Sequence, residues 1–340
     1  MRIKQGKYNK QLSELLGESK NIVLICHHNP DGDAIGSMLG FRRYLQLRGQ
    51  NADMISPNSI QEFLLWMEGT NDIIIGEKEP GRAASLIREA GLLIMFDFND
   101  LDRSGKLRDH IAESEARKIL IDHHPNPVIK ADLLISEPGM SSAAELVLAL
   151  IKDIEGKSLQ DNIFMESIYV GMMTDTGNFS FGSFNGDTLR EVALMLDNGL
   201  NKDKIVSEVY DNFSIDRLRF KGFASNERLV YIEEYNTAYI YLRRADLDRF
   251  RYKVGDTEGF VNLPLSVKGV LMSALFIEKE DHIRISLRSK GDIDVNKLAS
   301  KYFIGGGHKN AAGGKYAGSM EECLDYFEKV LDREYKQKSN

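Results

Sequence analysis

A chain of 340 residues is longer than one ordinary core organises, and it predicts two domains. With 42% hydrophobic and 28% charged residues it reads as a soluble globular protein, which sets aside disordered and fibrous classes. A formal charge of −7 argues against the basic footprint of a protein that coats long DNA or RNA. A small anionic substrate stays open, because a bound cation inverts the local charge.

Along the first half, short apolar runs alternate with amphipathic stretches. NIVLIC (21–26), ADMIS (52–56), DIIIG (72–76), LLIMF (92–96), KILI (118–121) and DLLIS (132–136) read as buried strands. Helical patterns separate them at 33–49, 60–69, 81–91 and 105–116, and three more follow at 141–156, 161–175 and 187–199. This alternation predicts an α/β fold: a mostly parallel sheet flanked by helices over residues 1–200. A helical, charged stretch at 201–228 reads as a linker. Residues 229–340 predict a smaller α+β domain: strands around a polar turn at 229–244, a hairpin within 269–290, a helix at 294–303, a Gly-rich loop and a final amphipathic helix. The two cysteines, Cys26 and Cys323, match neither a disulfide framework nor a zinc spacing. The N-terminus carries no apolar signal-peptide core, and no apolar run approaches the ~18 residues of a spanning helix. A cytoplasmic location without a membrane partner is therefore expected.

Acidic and imidazole groups cluster where predicted strands end. His27, Asp31 and Asp33 follow the first strand; Asp97 follows LLIMF; Asp122, His123 and His124 close KILI; Asp175 ends an apolar helical stretch. In an open parallel sheet, sites form beyond the carboxyl ends of the strands, so three of these clusters would meet along one edge. Each has a structural reading taken singly: Asp33 as the N-cap of a helix starting at Ala34, Asp97 or Asp122 as turn residues. Together they cannot all remain ionised and unpaired, and a mixed O/N set without thiolates fits Mn²⁺, Mg²⁺ or Co²⁺ better than structural zinc. The candidates exceed what one ion needs. A pair of ions about 3.5–4 Å apart is a standard arrangement for phosphate ester cleavage.

In the second domain, GGGHKNAAGG (305–314) reads as a backbone nest for an anion, with donors added by His308 and Lys309. Arg284 and Arg288 fall on one face of a predicted strand, either as a phosphate clamp or as a solvated strand face. Phe179, Phe181, Phe184, Tyr302 and Phe303 could stack a base or fill the core.

HHNPDGDAIGS, the Asp97 segment, DHHP and GMMTDTGNF resemble, in order, the four motifs of the DHH phosphoesterases, and GGGHKNAAGG resembles the signature of the DHHA1 domain. The length and the second domain are similar to the nanoRNase (oligoribonuclease) group, which also dephosphorylates 3′-phosphoadenosine 5′-phosphate. This resemblance implies one metal held by His27, Asp31 and Asp97 and another by Asp33, Asp97, His123 and Asp175. It implies Asp97 as the bridge, Asp122 orienting a histidine, and His124 facing the scissile phosphate. Arg288, Gly305, Gly306, Gly307, His308 and Lys309 would bind substrate; His28 has no ligand role and reads as a surface histidine. Two divalent ions, Mn²⁺ first, are the expected cofactors. A short oligonucleotide or nucleotide is the expected partner, with no long nucleic acid, and a homodimer through the first domain is compatible with the reading. The rivals are a cyclic di-AMP or pApA phosphodiesterase, a pyrophosphate or polyphosphate hydrolase, and a catalytically silent nucleotide sensor.

Overall fold

In a computed structural model, the structure describes residues 4, 6–180, 184–211 and 213–335. It divides into two compact units, Met1–Asn212 and Phe213–Asn340. The first contains α1 (Asn9–Glu18), β1 (Ile22–Cys26), α2 (Gly32–Leu47), β2 (Ala52–Ser56), β3 (Ile73–Ile75), α3 (Pro80–Glu89), β4 (Leu92–Phe96), α4 (Arg108–Glu113), β5 (Arg117–Asp122), β6 (Leu133–Ser136), α5 (Ala143–Glu155), α6 (Asn162–Asp175), α7 (Gly186–Asp197) and α8 (Lys202–Tyr210). The second contains α9 (Ile215–Glu227), β7 (Leu229–Ile232), β8 (Thr237–Leu242), α10 (Arg244–Arg249), β9 (Met272–Glu278), β10 (Ile283–Ser289), α11 (Val295–Tyr302), β11 (Gly306–His308), β12 (Ala311–Tyr316) and α12 (Met320–Tyr335). Among the described residues no helix is long and apolar enough to cross a membrane.

The sheet of the first unit runs in the order β3-β2-β1-β4-β5-β6, parallel throughout. All six expected strands are present. β1 and β4 bury every residue because the sheet is covered on both faces, which is why they read as unbroken apolar runs. Leu24, Cys26, Ile94 and Phe96 face one cluster with α2, α5 and α6; Val23, Ile25, Leu93 and Met95 face the other with α3 and α4. The order reverses between β1 and β4. Loops leaving their carboxyl ends diverge there and open a crevice.

Two local expectations fail. Residues 60–69 form consecutive tight turns instead of a helix, with 3-10 structure only over Glu62–Leu64. The Thr70 hydroxyl bonds the carbonyls of Leu65 and Met67, which a longer helix would use itself, and Gly69 lies in the left-handed region (φ 93°). The stretch 105–116 keeps only α4, because Gly105 (φ 58°) breaks the preceding turn.

In the second unit the sheet order is β11-β12-β10-β9-β8-β7. Ile283, Ile285 and Leu287 of β10 pack with α11 and α12 on one face. Ile240, Leu242, Leu275 and Ile277 pack on the other face with Phe220 of α9 and Phe260. Within the stretch 201–228, Ile205 and Val209 of α8 belong to the first core, and Phe220 and Ala224 of α9 to the second. Phe179 packs against Tyr169 and Phe184, and Phe303 is buried against Tyr326 and Phe327; Phe181 lies outside the described residues.

Candidate metal centre

His27 directly follows β1 and Asp97 directly follows β4, at the point where the strand order reverses. Asp122 ends β5, and His123 and His124 come next. Asp97 takes a left-handed backbone (φ 63°), uncommon outside glycine, and its N–H donates to Ile121. Asp175 arrives from the last turn of α6. That helix packs against α2 and α5 at very close range: a methyl group on Gly36 of α2 would lie 2.4 Å from the Ser167 carbonyl oxygen and 2.9 Å from the Gly171 nitrogen, and one on Gly171 would lie 2.4 Å from Ala144 Cβ of α5. These glycines bring α6 close enough for its terminal carboxylate to reach the sheet edge.

The imidazoles are oriented from behind. His27 Nδ1 lies 2.9 Å from the His28 carbonyl oxygen, and His123 Nδ1 lies 3.3 Å from that of Met140. Each donates there, which turns Nε2 inward as an acceptor, the presentation of a metal-binding histidine. His27 Nε2 is 3.4 Å from Asp97 Oδ2 and 3.8 Å from Asp31 Oδ1. His123 Nε2 is 3.5 Å from Asp97 Oδ1, 3.6 Å from Asp33 Oδ2 and 3.6 Å from Asp175 Oδ2. The two oxygens of Asp97 thus face two separate sets. Potential ligand atoms of His27, Asp31 and Asp97 lie within 4.8 Å of one another, as do those of Asp33, His123 and Asp175.

Asp33 does not cap its own helix. Asp31 caps α2, its Oδ1 accepting from the N–H groups of Asp33 (3.0 Å) and Ala34 (3.1 Å), so the helix begins before Ala34. Asp33 instead accepts from Ala143 (2.7 Å) and Ala144 (2.8 Å) at the start of α5, which fixes its carboxylate at a positive helix end. His124 differs from the other two histidines: Asp122 Oδ1 holds its Nδ1 at 2.8 Å. His28, expected at the surface, is half-buried beside Gly105 and joins none of these sets.

The electrostatics bear on what the cluster suits. Burial pulls His27 down, yet Asp31 and Asp97 outweigh it and hold the imidazole up at about 9. Asp97 and Asp175 likewise lift His123 well above its ordinary value against burial. Burial and Asp97 push Asp33 well up, and burial raises Asp175 to about 6. For Asp97, burial is overcome by His123 and His27, which hold it far below the carboxylate range. The protein alone thus meets its negative charge with protons. His27 Nε2 and Asp97 Oδ1 remain buried without a hydrogen-bond partner. Inward imidazole nitrogens, clustered carboxylates and buried polar atoms without a hydrogen-bond partner all fit a divalent cation that would displace those protons.

Arg103 was not singled out by sequence. It lies half-buried in the loop after β4, its Nη1 3.2 Å from His124 Nε2. The available signal was a lone arginine six positions after Asp97 in DFNDLDR.

On the second unit, the expected nest is a hairpin. Gly306–His308 is an edge strand paired with β12, so successive N–H groups do not converge on an anion as a nest requires. The glycines serve close backbone approach: a methyl on Gly305 would lie 2.0 Å from the Gly313 carbonyl oxygen, and one on Gly307 (φ 148°) 2.5 Å from that of Ala311. Opposite residues in the register share a face, so Arg288, Ala311 and His308 form one row, and Ser286, Gly313 and Gly306 the next. Arg284 and Lys315 continue the same face, opposite the face packed on α11 and α12. Lys309 pairs with Asp292 at 2.8 Å near the hairpin tip, both exposed.

Comparison with known proteins identifies the family. The DHH family, N-terminal domain, matches residues 21–173, and the DHHA1 domain matches 235–337. A Thermus thermophilus protein named "Bifunctional oligoribonuclease and PAP phosphatase NrnA" is 30% identical over 316 residues, 92% of this chain and 88% of its own. The Bacillus subtilis protein of the same name is 26% identical over 295 residues, 86% of this chain and 88% of its own. The crystal structure of an exopolyphosphatase-related protein from Bacteroides fragilis superimposes with a TM-score of 0.89 at 39% identity, covering 96% of both chains. The chain belongs to the DHH/DHHA1 family, in the group typified by the NrnA proteins.

Proposed function

We propose that this protein is a metal-dependent phosphoesterase that hydrolyses the phosphodiester bonds of very short oligonucleotides and removes a phosphate from 3′-phosphoadenosine 5′-phosphate. The observation that carries the reading is Asp97, whose two buried oxygens face two ligand sets. His27, Asp31 and Asp97 would hold one divalent ion, and Asp33, Asp97, His123 and Asp175 the other, with Mn²⁺ the preferred metal. When bound, such ions acidify a water and neutralise charge on phosphoryl oxygens.

The chain's own groups supply orientation. Asp122 holds the ring of His124 through Nδ1, and Nε2, 3.2 Å from Arg103 Nη1, would serve the leaving oxygen. On the second unit, Arg288 and His308 flank Ala311 in one row, next to the small floor of Ser286, Gly306 and Gly313, and suit a substrate phosphate. In this reading Lys309 contributes less, because Asp292 already pairs it. Two buried, free cysteines suit the reducing cytoplasm. We also take a homodimer as the working assembly.

The name of the Bacteroides fragilis protein favours polyphosphate as a second reading. A series of 5′-labelled RNAs from two to about ten nucleotides, run with Mn²⁺ and with Mg²⁺ beside 3′-phosphoadenosine 5′-phosphate, cyclic di-AMP, pyrophosphate and polyphosphate, tests both. Turnover falling steeply with RNA length supports the proposal. Turnover confined to polyphosphate or to cyclic di-AMP contradicts it.

A further inference from the structure

Arg103 stands at the rim of five aspartates, yet among the described residues it pairs with no carboxylate. Its own loop offers three acids, and all are engaged elsewhere: Asp97 faces His27 and His123, Asp100 accepts from the Asp102 N–H, and Asp102 pairs with Arg108 at 2.6 Å. The guanidinium meets only the imidazole of His124, at 3.2 Å from Nε2 and 3.5 Å from Nδ1. An arginine carries five N–H donors, so most remain for a further acceptor.

The position is held firmly. The Arg103 carbonyl accepts from the His28 N–H at 2.6 Å, its own N–H donates to Asp100 at 3.0 Å, and the Ser104 hydroxyl bonds Leu101. The His28 contact ties the loop of Asp97 to the loop of His27 and Asp31. Arg103 therefore moves with the ligand sets and not independently of them.

We infer that Arg103 is a phosphate-contacting residue, its guanidinium donating to a non-bridging oxygen of the scissile phosphate beside His124 Nε2. A planar fork in a fixed place suits a phosphoryl group, and an arginine left unpaired among carboxylates retains its charge for an incoming anion. Donors pre-aimed at developing phosphoryl charge act mainly on the transition state. The inference rests on the phosphoesterase reading and adds a residue to it.

The test compares wild type, Arg103→Gln and Arg103→Lys, all Mn²⁺-loaded, on a diribonucleotide and on 3′-phosphoadenosine 5′-phosphate. Arg103→Gln should lose ~10²-fold in kcat/KM on both, chiefly in kcat. Arg103→Lys should recover part of the loss, with Mn²⁺ affinity and melting temperature at wild-type values in both variants. Arg103→Gln within threefold of an active wild type overturns the inference alone. Loss of activity accompanied by weakened Mn²⁺ binding or a lowered melting temperature also overturns it, because the residue then only supports the loops. A wild type inactive on both substrates overturns the phosphoesterase reading, and this inference with it.

Discussion

The carboxyl edge of the first sheet and the open face of the second sheet both gather charge, by opposite means. At the edge, His27, Asp33, Asp97, Asp122 and His123 are buried, and backbone groups behind His27, Asp33 and His123 orient those three. On the open face, Arg284, Arg288 and Lys315 stand along paired strands, and their placement follows from strand register. A buried charge is tolerated only with partners, so the edge is specified atom by atom. Cations on a less buried strand face are placed by register, so the second region is specified more loosely. In the proposed reading, metal binding would belong to the first kind of site and phosphate capture to the second.

The largest break should come at Asp97. Asp97→Asn is expected to lower kcat by ~10³-fold or more, the loss of several kcal/mol of charge stabilisation, and to weaken Mn²⁺ binding. An active variant with full metal content would remove the shared carboxylate from the account.

Metal affinity should depend steeply on pH, because protons occupy the metal-free site. Asp175 at about 6 and His27 at about 9 are both raised, so each holds its proton below those values and must release it to bind a cation. Mn²⁺ affinity measured by calorimetry should rise between pH 6 and 9, with proton uptake by the buffer. A flat profile would mean that these groups are not ligands.

A smaller effect is expected one step back from the ligands. Asp122→Asn should cost ~10–100-fold in kcat while Mn²⁺ stoichiometry holds, since it orients His124. Loss of metal together with activity would move Asp122 into the ligand set.

The mildest change belongs to the open face. Arg288→Ala should raise KM several-fold and leave kcat within about threefold, the signature of uniform binding. A fall in kcat at constant KM would instead give this face a share in the transition state and erase the contrast between the regions.

Sequence carried the first region further than the second. The apolar runs that become β1, β4 and β5 end immediately before His27, Asp97 and Asp122, so strand ends and candidate ligands were legible together. The arrival of Asp175 was not, because it depends on the α2–α6 approach at Gly36 and Gly171, a contact between distant segments. Asp33 looked like a cap because capping is local, whereas its true partners at Ala143 and Ala144 are 110 and 111 positions away. In the second region, the glycines of 305–307 signalled a special backbone but not which one: pairing with β12 consumed the freedom that a nest would have used. Arg103 escaped notice because a lone arginine acquires meaning only when its acidic neighbours prove to be paired elsewhere.

The most direct test of the central claim, that Asp97 joins two ligand sets, is electron paramagnetic resonance of the protein titrated with Mn²⁺. The account predicts two Mn²⁺ per chain and an exchange-coupled spectrum that disappears in Asp97→Asn. A single uncoupled Mn²⁺ per chain at saturation would contradict it.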